Sequence, residues 1–297
     1  MGHQGLMRIV TTVLLLAVSL ADAGEKLAVY AVNYPLQYFA QRIAGEQAEV
    51  ILPVPPAIDP AFWQPDVAAI AGFQQADIIL LNGAGYAQWV NRVSLPRRKL
   101  VDTSAGFRDR YIHTKGDVTH SHGREGDHSH TGTAFTTWLD FTLAVEQARA
   151  VADALSRQRP GSKDVFARNL AALEKELLDL DRQVREIVAT EPDRPLMASH
   201  PVYQYSTRRY GLNLQSVMWE PDMMPDAAQW SELARLLTGH PADWMIWEGK
   251  PNPESVTRLR SMGVDSLVFD PCGNRPGAGD FLSVMQQNVQ NLERGFQ

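Results

Sequence analysis

The sequence has few of the features that mark redox proteins, nucleic-acid binders or common enzymes. Cys272 is the single cysteine among 297 residues, which excludes an internal disulfide framework and any CxxC zinc or redox motif. The net charge is −6, so the chain has no basic field to hold nucleic acid. The GxSxG, Walker A, HExxH and GxGxxG patterns are also missing. We therefore expect no nucleic-acid partner, and catalysis is the least favoured function.

The N-terminus carries the pattern of an export signal. Arg8 precedes an apolar run, Ile9–Ala21, that is too short to span a membrane. The small residues Ala21 and Ala23 then flank Asp22, which is typical of a secretory cleavage site. We predict that residues 1–23 are a signal peptide cleaved after Ala23 and that the mature protein is periplasmic. No cysteine stands at this cleavage point, so we expect no lipid anchor.

Strand and helix patterns alternate in both halves of the remaining chain. Apolar runs predict strands at 26–33, 48–54, 76–82, 99–103, 196–199, 212–219, 244–247 and 266–269. Helical spacing predicts helices at 36–44, 66–75, 86–93, 203–210, 226–238, 253–262 and 280–294. This alternation predicts an α/β protein of two lobes, each with a mainly parallel, four-stranded sheet.

One long helix is predicted between the lobes. From Phe166 to Ile187, apolar residues recur at alternating steps of four and three, which puts one apolar stripe on a helix over 162–190. Such a helix measures roughly 40 Å. We predict an N-terminal lobe over 24–142, a helical connection over 143–194 and a C-terminal lobe over 195–297. A coiled-coil dimer is the competing interpretation of the stripe; we expect a monomer whose helix packs along both lobes.

A histidine-rich segment interrupts the N-terminal lobe at 113–133. Five of the eight histidines lie in it: His113, His120, His122, His128 and His130. Its low apolar content predicts a flexible loop. Histidines two residues apart, as in His120/His122 and His128/His130, suit capture of a borderline-soft cation such as Zn²⁺. The alternative is an inert, solvated insertion.

Several segments resemble the zinc- and manganese-specific solute-binding proteins of ABC transporters. Residues 52–60 resemble the "VPPGADPH" segment of that family, and residues 75–85 resemble its "ADLVFYNGLG" run. The His-rich insertion followed by Trp138-Leu139-Asp140 is similar to its loop and "HVWLD" motif. The resemblance implies a metal held between the lobes and passed to a membrane permease. It also implies that His200 and Asp270 are ligands.

Two positions depart from the family pattern. Ala61 and Thr136 stand where the family usually has the histidine ligands of the N-terminal lobe, so two of the implied ligands are missing. Two remaining ligands would make a weak zinc site, because zinc prefers four donors. Histidines of the loop can supply the missing donors, or Glu220 or Glu248 can supply an oxygen.

Two alternatives to a free-metal carrier stay open. The cleft can bind another ligand, such as a siderophore-like or cobalamin-like metal chelate, while the loop alone holds metal. The chain can also be an accessory paralogue without high-affinity capture. Our main prediction is a periplasmic binding protein for zinc, with manganese as the second metal, that serves an ABC permease. The predicted metal ligands are His200, Asp270, His120, His122, His128 and His130.

Overall fold

The structure is a computed structural model that describes residues 25–56, 58–114, 119–121, 127–129 and 132–297, with only the backbone described at 119–121 and 127–129. The predicted signal peptide lies outside the described residues. The helices are α1 (Tyr34–Ala44), α2 (Val67–Gln75), α3 (Phe141–Gln158), α4 (Lys163–Val188), α5 (Gln204–Tyr210), α6 (Ala227–Gly239), α7 (Pro253–Ser261) and α8 (Phe281–Arg294). Within the described part of the chain, no helix is both long and apolar enough to cross a membrane.

Two parallel sheets form the two lobes. Their strands are β1 (Leu27–Ala31), β2 (Ala48–Ile51), β3 (Ile78–Leu81), β4 (Leu100–Asp102), β9 (Pro195–Ala198), β10 (Asn213–Ser216), β11 (Trp244–Trp247) and β12 (Asp265–Val268). The first sheet has the order β2-β1-β3-β4, and the second has the corresponding order β10-β9-β11-β12. All pairs within the two sheets are parallel. The predicted fold class is confirmed, whereas the predicted lobe boundaries stay predictions.

Short antiparallel pairs occupy the histidine-rich segment. Strand β5 (His113–Thr114) pairs with β8 (Gly132–Thr133), and β6 (Thr119–Ser121) pairs with β7 (Asp127–Ser129). These pairs stand apart from the two main sheets. The segment therefore leaves the N-terminal lobe and returns to it at the position of β5 and β8.

One predicted helix is wrong. The structure has only a 3₁₀ segment, Gln88–Arg92, where we predicted a helix over 86–93. The preceding turn at 83–85 has positive φ at all three residues, and Pro96 follows shortly. Little more than one turn fits between them, so the chain closes with the i→i−3 bond from Val90 N–H to the Ala87 carbonyl (3.1 Å).

Helix α4 is the predicted connection, and it packs on both lobes. Its apolar stripe, which includes Phe166 and Leu177, is buried within the chain. Near its start, the Asn169 side chain donates to the carbonyl of Ile43 in α1 (2.9 Å). Further along, Asp181 accepts two bonds from Arg209 of α5 (2.8 and 2.7 Å). The stripe is therefore covered by this chain and needs no coiled-coil partner.

A clamp of side chains also joins the lobes. The Arg275 guanidinium donates to the carbonyls of Leu52 and Val54, both at 2.8 Å. The Asn274 side chain donates to the carbonyl of Pro55 at 2.7 Å. Because these carbonyls belong to the segment that follows β2, the clamp fixes one cleft loop of the N-terminal lobe against the C-terminal lobe.

Candidate metal centre

Three potential metal ligands meet at one edge of the second sheet. His200, Glu220 and Glu248 follow β9, β10 and β11, and the carboxyl ends of parallel strands share one edge. Their ligand atoms all lie within 4.8 Å of one another. His200 Nδ1 is 3.8 Å from Glu220 Oε1 and 3.8 Å from Glu248 Oε1. Among the residues that the structure describes, no other group of three or more histidine, cysteine or acidic residues is arranged to hold a metal ion.

The electrostatics of this group favour a cation. Burial raises the pKa of Glu248 well above its ordinary value, and the neighbouring carboxylates Glu220, Asp59 and Asp270 raise it further. Burial also raises the pKa of Asp270. A bound cation would offset the repulsion among these carboxylates, so the site is electrostatically complementary to a positive ion.

Asp270 lies close to this group but outside it. The residue follows β12, and its Oδ1 accepts the backbone N–H of Cys272 at 2.7 Å. The Asn288 side chain holds the same turn by accepting from the Asp270 N–H and donating to its carbonyl. The structure therefore brings His200 together with Glu220 and Glu248, and it places Asp270 where its charge acts on Glu248.

The opposite wall of the cleft belongs to the N-terminal lobe and is largely aromatic. Phe62 and Tyr86 each pack against Phe135, with ring centroids 6.3 and 5.1 Å apart, and Tyr86 packs against Trp138 at 5.7 Å. Asp59 is the carboxylate on this side, and its Oδ1 accepts the N–H of Ala61 at 2.8 Å. This wall thus offers one carboxylate beside a set of packed rings.

The two positions that depart from the family pattern offer no imidazole here. Ala61 is buried, and the Thr136 hydroxyl donates to the backbone carbonyl of Val202 at 2.5 Å. That hydroxyl is committed to a bond across the cleft between the two lobes. The N-terminal lobe therefore does not replace its missing histidines with side chains at the same positions.

The two walls enclose a cavity of about 500 Å³ that contains His200, Glu220 and Glu248 in its lining. A second cavity of about 440 Å³ adjoins it. The two cavities share the lining residues Phe62, Tyr86, Phe135, Thr136 and Val202. The second cavity is also lined by Thr114 of β5 and by Gly132 and Thr133 of β8, so it lies at the base of the histidine-rich segment.

The predicted loop ligands are described only in part. The register of β6 and β7 sets His120 opposite His128 along the backbone. His122 and His130 lie outside the described residues. Metal binding by these four histidines stays a prediction.

Comparison with known proteins gives the family. The family model for ZnuA, described as the zinc-uptake complex component A, periplasmic, matches residues 29–295. The chain belongs to this family. The resemblance noted in the sequence is thereby confirmed.

Individual members of the zinc-uptake family are distant in sequence. The chain is 25% identical over 291 residues to the zinc-binding lipoprotein AdcA of Streptococcus pneumoniae, covering 92% of this chain and 56% of that protein. It is 26% identical over 288 residues to the high-affinity zinc uptake system protein ZnuA of Bacillus subtilis, covering 91% and 88%. The crystal structure of Zn(II)-bound AdcA superposes with a TM-score of 0.76 at 22% identity, covering 91% and 57%. The chain thus spans little more than half the length of AdcA, and the structural likeness shows the fold.

Proposed function

We propose that the protein binds a divalent metal ion in the cleft and delivers it to a membrane permease. The observation that carries this proposal is the group of one imidazole and two carboxylates from His200, Glu220 and Glu248. These are ligand types that zinc and manganese both accept. The names of its zinc-uptake relatives favour zinc as the cargo, with manganese as the second metal.

In this proposal, the C-terminal lobe supplies the ligands. His200 donates a ring nitrogen, and Glu220 and Glu248 each donate an oxygen. Asp270, and Asp59 across the cleft, add negative charge close by. Since ligands must be deprotonated to bind a metal, binding releases protons, and acidification favours release of the ion.

We also propose where the protein works and in which oligomeric state. We place the protein in the periplasm after removal of residues 1–23, where it works as a binding component of an ABC uptake system. It acts as a monomer, since the apolar stripe of α4 is buried within its own chain. Binding and delivery require no catalytic step.

Calorimetric titration of Zn²⁺ and Mn²⁺ into the metal-stripped protein tests this function. We expect one tight equivalent that is lost in His200→Ala and kept in a variant lacking residues 113–133. Glu232→Gln, an exposed change on α6, serves as the control and should bind like the parent protein. Loss of binding only in the loop deletion would place the metal in the loop. No binding in the parent protein would overturn the proposal.

A metal chelate is a second candidate cargo, favoured by the size and lining of the cleft. An enclosed water needs about 10–15 Å³ of cavity volume, so the six waters of a hydrated ion need roughly 60–90 Å³. The cavity is about 500 Å³ and has the rings of Phe62, Tyr86, Phe135 and Trp138 on one side. This candidate predicts quenching of tryptophan fluorescence by an intact ferric–catecholate complex or by cobalamin, with less quenching in Trp138→Phe. If only free metal ions bind, the chelate candidate fails.

A further inference from the structure

A separate cavity lies beside the cleft, in the segment between β10 and α6. Its volume is about 180 Å³, and its lining includes Met218, Met223 and Met224. Trp219 and Glu220 also line this cavity. Three methionines from one stretch of seven residues therefore line one small space, which shares Glu220 with the group of His200, Glu220 and Glu248.

Two of these methionines are exposed neighbours in the chain, whereas Met262, the other exposed methionine described in the C-terminal lobe, stands alone. Met197, Met245 and Met285 are fully buried and fill the core. Met223 and Met224, in contrast, are 51% and 41% exposed. Large apolar side chains gain little by lying at the surface, so packing does not account for an adjacent exposed pair. What the pair shares with Met218 is a place in the lining of one cavity.

Local bonds hold the segment in place. The Ser255 hydroxyl donates to the Met224 sulfur at 3.3 Å, which orients that sulfur and leaves it a second lone pair. The side chain of Gln229 donates to the carbonyl of Met218 at 3.3 Å. Asp226 caps the N-terminus of α6 by accepting the N–H of Gln229 at 2.8 Å, so the positive end of this helix is offset by a carboxylate.

Thioethers are soft, uncharged donors that select Cu(I) over hard divalent ions. They carry no proton at neutral pH, so a site built from them binds without proton release. The indole of Trp219 borders the same cavity, and an aromatic face attracts a nearby cation. We propose that Met218, Met223 and Met224 form a second metal site, specific for a soft monovalent ion such as Cu(I).

Silver ion, Ag⁺, is the probe for this site because it is soft and monovalent like Cu(I) but is stable in air. The measurement is the NMR spectrum of the protein with ¹³C-labelled methionine methyl groups, assigned by single Met→Leu variants. We expect the resonances of Met218, Met223 and Met224 to shift together and saturate at one equivalent. Silver captured by Cys272 or by imidazoles does not move them, because the readout is confined to methionine.

Two variants make the test decisive. Met262→Leu, at an exposed methionine beyond α7, should leave the saturation point and the affinity unchanged. The triple variant M218L/M223L/M224L should lose the silver equivalent. Each single Met→Leu change should weaken binding by about tenfold or more, since even outer-shell partners contribute on that scale. Titration with Cu(I) buffered by bathocuproine disulfonate should rank the affinities of the parent protein and the variants in the same order as silver does.

Three outcomes would overturn the site: no shift of the three resonances, shifts that include Met262, or a triple variant that binds silver like the parent protein. The methionine readout separates this site from the divalent one, although Glu220 borders both cavities. Zn²⁺ and Mn²⁺ are expected to leave the three resonances in place, and the triple variant should keep its far-UV circular dichroism and its divalent binding.

Discussion

The two walls of the cleft are built on the same scaffold and carry different chemistry. Both lobes have a four-stranded parallel sheet with the same strand order, and in both the cleft is lined by segments that follow strands. On the C-terminal side these segments present His200, Glu220 and Glu248. On the N-terminal side they present Phe62, Tyr86 and one carboxylate. The scaffold provides the positions, and a few residues at strand ends decide what each wall binds.

The walls also differ in what they contribute to stability. The aromatic wall packs ring against ring and stabilises the fold. The acidic wall holds Glu248 in a buried place where its charged form is disfavoured. The C-terminal wall therefore lowers the stability of the metal-free protein, as expected of the wall that we propose binds the metal, whereas the N-terminal wall raises it.

The largest effect is expected from removing the acidic character of one wall. The double variant E220Q/E248Q keeps side-chain volume but removes both negative oxygen ligands. Divalent-metal affinity should fall by at least about 100-fold, since changes one shell further out already cost 10–100-fold. The melting temperature of the metal-free variant should not fall, because the buried repulsion is gone. Calorimetry measures the metal affinity and thermal unfolding measures the melting temperature, with Glu232→Gln as the control.

The clamp between the walls tests whether the C-terminal wall holds the metal by itself. Arg275→Ala removes two charge-assisted bonds, to the carbonyls of Leu52 and Val54, and should lower the free energy of unfolding by about 2 kcal/mol. Metal affinity should stay within about threefold, or about 0.7 kcal/mol, of the parent value. Urea unfolding and metal titration measure the two effects. A parallel loss of metal binding would show that the N-terminal wall takes part.

Adding a ligand to the aromatic wall should reduce the difference between the walls. Ala61 lines the cavity that adjoins the cleft, so in Ala61→His a new imidazole is placed on the N-terminal side, and zinc affinity should rise by about tenfold, or about 1.4 kcal/mol. Ala61→Phe is the control, since it adds similar bulk without a donor and should not tighten binding. Competition with a zinc-sensitive dye measures both. If Ala61→His and Ala61→Phe change zinc affinity equally, the new imidazole does not reach the proposed site.

The smallest expected effect is a pH dependence of the metal-free protein. The pKa of Glu248 is raised in the folded state, so the folded form holds its proton more tightly than the unfolded chain. The contribution of Glu248 to stability is thus full below the unfolded pKa of about 4.3 and is lost as pH rises through the folded value. From about pH 4 to about pH 8, the melting temperature of the parent protein should fall relative to that of Glu248→Gln. If the melting temperatures of the parent protein and of Glu248→Gln change in parallel with pH, the raised pKa of Glu248 is contradicted.

Much of the fold was predictable because its signals are local. The spacing of apolar residues from Phe166 to Ile187 predicted α4 within two residues at each end. The helix expected over 86–93 failed because a turn with positive φ and a nearby proline leave room for little more than one turn. Helical spacing alone does not show how many residues belong to the neighbouring turns.

The site was harder to predict because it depends on strand order. His200 and Asp270 came from the family resemblance, and Glu220 and Glu248 were open alternatives as oxygen donors. Their position shortly after predicted strands was the available signal. Which strand ends lie side by side follows from the order β10-β9-β11-β12, which the sequence pattern does not contain. The methionine cavity gave no sequence signal, since exposure is a property of the folded chain.

The packing of α4 on both lobes and the Arg275 clamp have a consequence for the proposed delivery of metal to a permease. Under the proposed function, a carrier whose halves are joined by a helix packed on both of them, and by a clamp across the cleft, is expected to keep nearly the same outline whether empty or full. A permease that recognises this outline will dock the empty carrier almost as readily as the full one. We therefore expect excess empty carrier to compete for the permease, so that transport passes through a maximum as carrier concentration rises at a fixed metal supply.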